Sequence, residues 1–125
     1  MLRNSNIDIK VDTDYVYEQS EPEENRYVFS YTITIVNHGK IPAQLMSRQW
    51  IITDSNGKIQ EVRGDGVVGK QPKLNPGEQF RYSSGTVIET PVGAMEGKYC
   101  MIEDNGNNFE APIPPFTLAV PGILH

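Results

Sequence analysis

This 125-residue sequence lacks a second cysteine and lacks any long apolar run, and each absence narrows what the chain can be. The lone Cys100 has no partner for an internal disulfide and no companion at a metal-ligand spacing. That points to a reducing compartment and excludes a disulfide scaffold or a thiolate zinc site. The first twenty residues, MLRNSNIDIKVDTDYVYEQS, hold no continuous apolar core of the kind a secretory signal needs. No later stretch approaches the roughly 18 apolar residues of a membrane span. The expectation is a soluble, cytoplasmic protein with no membrane partner. Basic side chains are scarce too: 11 Lys and Arg stand against 16 Asp and Glu, a net −5. Duplex binding requires surplus cations to neutralise phosphates, so nucleic acid is not an expected partner. Histidine is rarer still. His38 sits in the turn composition Asn37-His38-Gly39 and His125 is the last residue, so no base stands beside a nucleophile and no catalytic residue is assigned.

Helical periodicity is the remaining absence, and strands take its place. No window keeps apolar residues at i, i+3, i+4 and i+7. From Tyr27 to Val36, YVFSYTITIV sets Tyr27, Phe29, Tyr31, Ile33 and Ile35 on one face and Ser30, Thr32 and Thr34 on the other, a half-buried strand. Ile7, Ile9 and Val11 alternate before it. After it come QLMSRQWIIT, KIQEVR, the strand holding Phe80 and Tyr82, then GKYCMIED and NFEAPI across Asn105-Gly106, with a further strand and a free tail from PPFTLAVPGILH. EQSEPEENR is an acidic loop between the first two strands. Nine prolines, eleven glycines and seven or eight short extended segments predict an all-β fold in one domain spanning 1–125. Because the runs alternate, the sheets are expected to be antiparallel, in an immunoglobulin-like or fibronectin type III-like β-sandwich.

One stretch carries a motif. Residues 64–69, GDGVVG, have the Gly-x-Gly-x-x-Gly spacing that cradles a dinucleotide pyrophosphate when a helix follows. Here Pro72, Asn75, Pro76 and Gly77 forbid that helix, so the Rossmann reading fails. A turn of successive N–H groups can still hold an anion without a helix. Between Lys58 and Arg81 five basic residues outnumber three acidic ones, a local +2 in an acidic chain. Gly64, Gly66, Gly69, Lys70 and Lys73 are therefore the candidate phosphate or pyrophosphate site. The alternative is that the glycines only permit positive φ in a long connection.

Other residues invite two readings each. Alternation puts Trp50 on one strand face with Met46 and Ile52, with Arg48 between them. A lone Trp in a sandwich usually fills the core, whereas Arg48 and Trp50 on the surface would form a partner-binding anchor. Cys100, between Tyr99 and Met101, reads as a small buried thiol. Asp12, Asp14, Glu18, Glu21, Glu23 and Glu24 fit no calcium-loop spacing, so no metal site or cofactor is assigned.

The segment SRQWIITDSNGKIQEVRGDGVVGKQPKLNPGEQFRYSSG, with EGKY, the closing IPPFTLAVPGILH and the earlier PEENRYVFSYTITIVN, resembles the ApaG family over nearly the whole chain. Gln49 departs from the pattern, in which many members carry histidine before the tryptophan. The resemblance implies a fibronectin type III-like sandwich in a bacterial protein, also known as CorD. It associates the chain with cobalt and magnesium handling and with a gene neighbouring that of a diadenosine tetraphosphate hydrolase. It also implies a pyrophosphate role for the glycine motif. Similar domains in F-box proteins and in a DNA-polymerase-interacting protein look like protein-binding modules, so the resemblance favours a non-catalytic domain with an unidentified protein partner. A phosphate- or pyrophosphate-containing small molecule is the alternative ligand.

Overall fold

The computed structural model describes residues 2–3 and 6–123, which form nine strands and two single-turn 3-10 segments. In chain order the strands are β1 (Leu2–Arg3), β2 (Ile7–Tyr15), β3 (Tyr27–Asn37), β4 (Ala43–Asp54), β5 (Ile59–Asp65), β6 (Lys73–Leu74), β7 (Gln79–Ile88), β8 (Val92–Glu103) and β9 (Asn108–Ala119). Seven of them are at least seven residues long. Two sheets result. One runs β1-β9-β8-β4-β5 with β6 also on β4, and the other runs β2-β3-β7. Every pairing is antiparallel except the two-residue contact of β1 with β9. The fold is the expected all-β antiparallel sandwich.

The alternating pattern of β3 drives this arrangement. Phe29, Tyr31, Ile33 and Ile35 are buried while Ser30, Thr32 and Thr34 are only half-buried, so one face of the three-stranded sheet closes over the other sheet. Opposite them lie Trp50 and Ile52 of β4, Met95, Tyr99 and Met101 of β8, and Phe109, Ile113 and Leu118 of β9. Trp50 packs edge-on against Tyr31 and Phe116, with ring centroids 5.4 and 5.9 Å away. Burying rings of this size supplies much of the driving force for closing the two sheets.

Two elements differ from the sequence reading. The closing segment does not make a separate strand: 108–119 is one strand in which Pro112, Pro114 and Pro115 are accommodated. Proline donates no N–H, and β9 has only the two-residue β1 on its far side, paired at Phe109 and Glu110, so no ladder bond is lost there. A register shift opposite Met95 and Gly97 takes up the extra length. Two 3-10 turns, Tyr17–Gln19 at the start of the acidic loop and Pro22–Glu24 within it, hold no buried residue. The end of the expected free tail, residues 124–125, lies outside the described residues. No helix among them is long and apolar enough to cross a membrane.

Candidate functional site

A single irregularity in β4 organises the region around the glycine motif. Leu45 and Ala43 point into the core, as do Trp50 and Ile52, yet simple alternation would send Leu45 and Trp50 to opposite faces. A β-bulge at Met46, where the register slips between Leu45 and Ser47, reconciles them. Met46 is consequently exposed and does not share the inner face with Trp50, contrary to the reading by alternation.

The bulge leaves the Met46 carbonyl with acceptor capacity to spare, and the glycine motif is attached there. Beyond Asp65 the chain leaves the edge of β4, which it rejoins at Lys73 as β6. The Gly66 N–H and the Gln71 side-chain amide both donate to the Met46 carbonyl, at 2.8 and 2.9 Å. Val67 and Lys70 then exchange two backbone hydrogen bonds, 2.8 and 2.9 Å, around Val68 and Gly69. Both central residues have positive φ, +44° and +79°, the signature of a two-residue primed hairpin turn. GDGVVG is therefore a small hairpin, neither a strand-to-helix turn nor an open nest. Its N–H groups at Gly66, Val67 and Lys70 are all engaged within the backbone.

Each glycine has its own reason. At Gly66, φ is +62° and a Cβ would stand 2.2 Å from the Lys70 carbonyl oxygen, so only glycine fits. Gly69 has φ +79° and open space around it. Gly64 faces Arg48 across β4 and β5, and a Cβ there would stand 2.7 Å from Arg48 Nη1. Removing that Cβ lets the guanidinium lie flat over the strand, where Nη1 donates to the Asp65 carbonyl at 3.2 Å and the Gly66 carbonyl at 2.9 Å. Arg48 thus pins the hairpin, and the oxygens of the motif turn toward a cation.

Of the other assigned residues, Lys70 is exposed on the hairpin. Lys73 pairs with Asp104 at 2.6 Å. Trp50, 2% exposed, is a core residue and cannot act as a surface anchor; its face is set by the bulge. Arg48 shares that inner face but lies at the open rim, half-buried. Gln49, where the resemblance leads one to expect histidine, lies on the outer face between Arg63 and Lys98. Cys100 is on that same outer face and half-buried, not the buried thiol expected, because its neighbours Tyr99 and Met101 take the inward positions.

What sequence reading missed is a crevice between the sheets. β5 and β7 are the two edges on one side of the sandwich. At one end they are stitched by Gln60 Nε2 donating to the Val87 carbonyl at 3.3 Å and by Lys58 with Glu89 at 2.8 Å. At the other end they part around a cavity of about 260 Å³ lined by Arg48, Trp50, Val67, Val68, Tyr82 and Ser84, with Tyr31, Asp65 and Gly69 completing the wall. Beside it the Tyr82 and Tyr99 hydroxyls share a 2.5 Å hydrogen bond. Burial pushes the Tyr82 phenol up to about 12, against the Tyr99 hydrogen bond, which pulls it down; Tyr99 is raised further, by burial first and then by Tyr82. Both are neutral hydrogen-bonding groups at physiological pH. The strand holding Phe80 and Tyr82 was legible in the sequence, but not that Ser84 would follow them to a gap. A larger depression, about 490 Å³, lies on the outer face, but its one cation, Lys98, is already paired with Glu110. Among the described residues no three of His, Cys, Asp and Glu gather as metal ligands.

Comparison with known proteins agrees with this architecture. The ApaG domain family matches residues 17–103. Protein ApaG of Ectopseudomonas mendocina is 60% identical over 119 residues, covering 95% of this chain and 94% of that one. Protein ApaG of Azotobacter vinelandii is 57% identical with the same coverage. A crystal structure assigned to the ApaA protein of Bordetella pertussis superposes with a TM-score of 0.92 at 49% identity, covering 98% of this chain and 99% of that one. An Archaeoglobus fulgidus protein, 9% identical with a TM-score of 0.51 over 89% of this chain and 97% of its own, shares the fold alone. On the matched domain and on full-length relatives of this identity, the chain belongs to the ApaG family.

Proposed function

We propose that this protein is a binding module, with no chemical step of its own, that recognises a protein partner presented as an extended segment along the β5 and β7 edges. The observation that carries this reading is the pairing of two edge strands on one side of the sandwich. Both edges carry exposed apolar side chains: Ile59 and Val62 on β5, Val68 on the hairpin and Val87 on β7. Edge strands offer unpaired backbone groups, and an added strand uses them while its alternate side chains reach the flanking surfaces. The family's similar domains in larger proteins look like such modules, which supports the same view.

The competing reading, a phosphate or pyrophosphate held at Gly64 to Gly69 with Lys70 and Lys73, has the exposed Lys70 in its favour. Against it, the N–H groups of Gly66, Val67 and Lys70 are already engaged and Lys73 is held by Asp104. A divalent-cation role finds no gathered ligands among the described residues.

The test is a double variant, Ile59→Lys with Val87→Lys. Both side chains are exposed, so thermal stability should be unchanged, while affinity for a purified partner first identified by capture should fall at least about tenfold, the loss expected when charges are forced into an apolar contact. Equal affinity of the variant and the parent would overturn the edge reading. Saturable amide shifts confined to 64–73 on titration with pyrophosphate would support the competing one.

A further inference from the structure

The crevice between the β5 and β7 edges holds a half-buried guanidinium in ion-pair contact with no carboxylate. Among the described residues the ion pairs are His38 with Asp8, Lys58 with Glu89, Lys73 with Asp104 and Lys98 with Glu110. Arg48 is in none of them, although Asp65 lines the same cavity. Its two bonds to the hairpin carbonyls both use Nη1. A guanidinium carries five donors in a fixed fork, so Nη2 and Nε remain to meet a planar oxyanion. Charged groups withdrawn from water are ordinarily paired, and this one lines a cavity that is empty of any protein anion in contact with it.

We propose that this crevice receives the terminal carboxylate of the partner segment. The carboxylate pairs with Arg48, and an apolar last side chain rests against Val68, the exposed apolar member of the lining. The proposal rests on the edge-strand reading above and names the chemistry by which that edge is read. A carboxylate fits better than a phosphate for three reasons. The motif turns carbonyl oxygens, not N–H groups, toward Arg48. Asp65 in the wall adds a negative charge that opposes a dianion more strongly than a monoanion. A monoanion is what such a site can hold, whereas a phosphate dianion needs more cations or more N–H donors than the site presents. The volume, about 260 Å³, suits one side chain with its carboxyl group and not a nucleotide. The half-buried Ser84 in the lining supplies a neutral hydroxyl donor. The stitch of Gln60 to Val87 ties the two edges together at the other end.

The experiment is an amide-resolved NMR titration of the full chain with acetyl-Thr-Val-Thr-Val bearing a free carboxylate, the same peptide amidated at its C-terminus, and inorganic phosphate. The free acid should give saturable shifts at Arg48, Val67, Val68 and Ser84 with a dissociation constant below about 1 mM. The amide should bind at least about tenfold more weakly, as should the free acid to Arg48→Gln, because a charge-assisted pair is lost in each case. Arg48 also ties the hairpin, so a second variant, Ser84→Leu, fills the crevice while leaving the guanidinium and its carbonyl bonds in place; it too should lose the shifts. Equal binding of acid and amide, unchanged binding by both variants, phosphate shifting the same residues more tightly than the peptide, or no saturation by about 5 mM peptide would each overturn the proposal. These outcomes are separable from the edge reading. A partner lost by the Ile59→Lys, Val87→Lys variant but indifferent to Arg48→Gln and to amidation would leave the edge standing and remove the carboxylate.

Discussion

Glycine at three positions of one motif serves three different physical needs, and the differences are measurable. Gly66→Ala combines a left-handed backbone with a Cβ inside the Lys70 carbonyl, so it should lower stability on the order of 2–4 kcal/mol in urea unfolding. Gly69→Ala, with the same sign of φ but open surroundings, should cost only about 1 kcal/mol. If both variants lose equally, steric contact at Gly66 is not what selects glycine there. The buried phenol pair gives a pH signature at the same scale. Because folding raises both hydroxyls above their ordinary value near 10, the folded state holds their protons longer than the unfolded chain does. Stability should therefore be flat from pH 7 to 9 and decline as pH rises past about 10 toward 12. Phenolate absorbance should show two of the six tyrosines ionising only late or on unfolding. A flat stability profile to pH 11.5 would remove the linkage.

Among the elements, β4 decides the most. Its bulge carries Leu45 and Trp50 to the same core, frees Met46 and creates the acceptor on which the glycine hairpin hangs. Nothing in QLMSRQWIIT marks Met46 as the odd residue, because a bulge is chosen by cross-strand register with β8, which a single segment does not contain. Gly97 of β8 holds that register close. A Cβ there would stand 2.2 Å from the Gln49 carbonyl and 2.9 Å from Trp50 Cε3. Gly97→Ala should accordingly cost about 1–3 kcal/mol and broaden the Trp50 indole resonance, whereas Gly106→Ala, in an open turn, should leave that resonance untouched. In β9 the expected two strands became one because prolines are tolerated along an edge with little pairing. That too is a fact about neighbours and not about the segment.

The whole molecule adds the unequal fate of its strands. β3 lies between β2 and β7, and β8 lies between β4 and β9, so their amides are paired on both sides. β5 and the hairpin at 66–70 are bounded on one side only. Native-state hydrogen exchange should place β3 and β8 in the slowest class and β5 with the hairpin at least about tenfold faster, and uniform protection would contradict an edge available to a partner. Truncating the central ring, Trp50→Ala, should cost about 3–5 kcal/mol and accelerate exchange in both sheets together, since Trp50 packs against Tyr31 and Phe116 from each.

The sequence by itself determined the all-β class, most strand positions, the failure of the dinucleotide reading and the family. Each of these follows from local periodicity, from prolines that forbid a helix, or from a motif combination spread along the chain. Only the tertiary structure decided that Trp50 is core while Arg48 lies at a rim, that Cys100 faces outward, that GDGVVG closes a small hairpin anchored on the Met46 carbonyl, and that two edges part around a guanidinium with no ion-pair partner. The physical reason is common to all four. Side-chain direction in a strand follows the cumulative register, one bulge inverts it for everything beyond, and register is settled between strands distant in sequence.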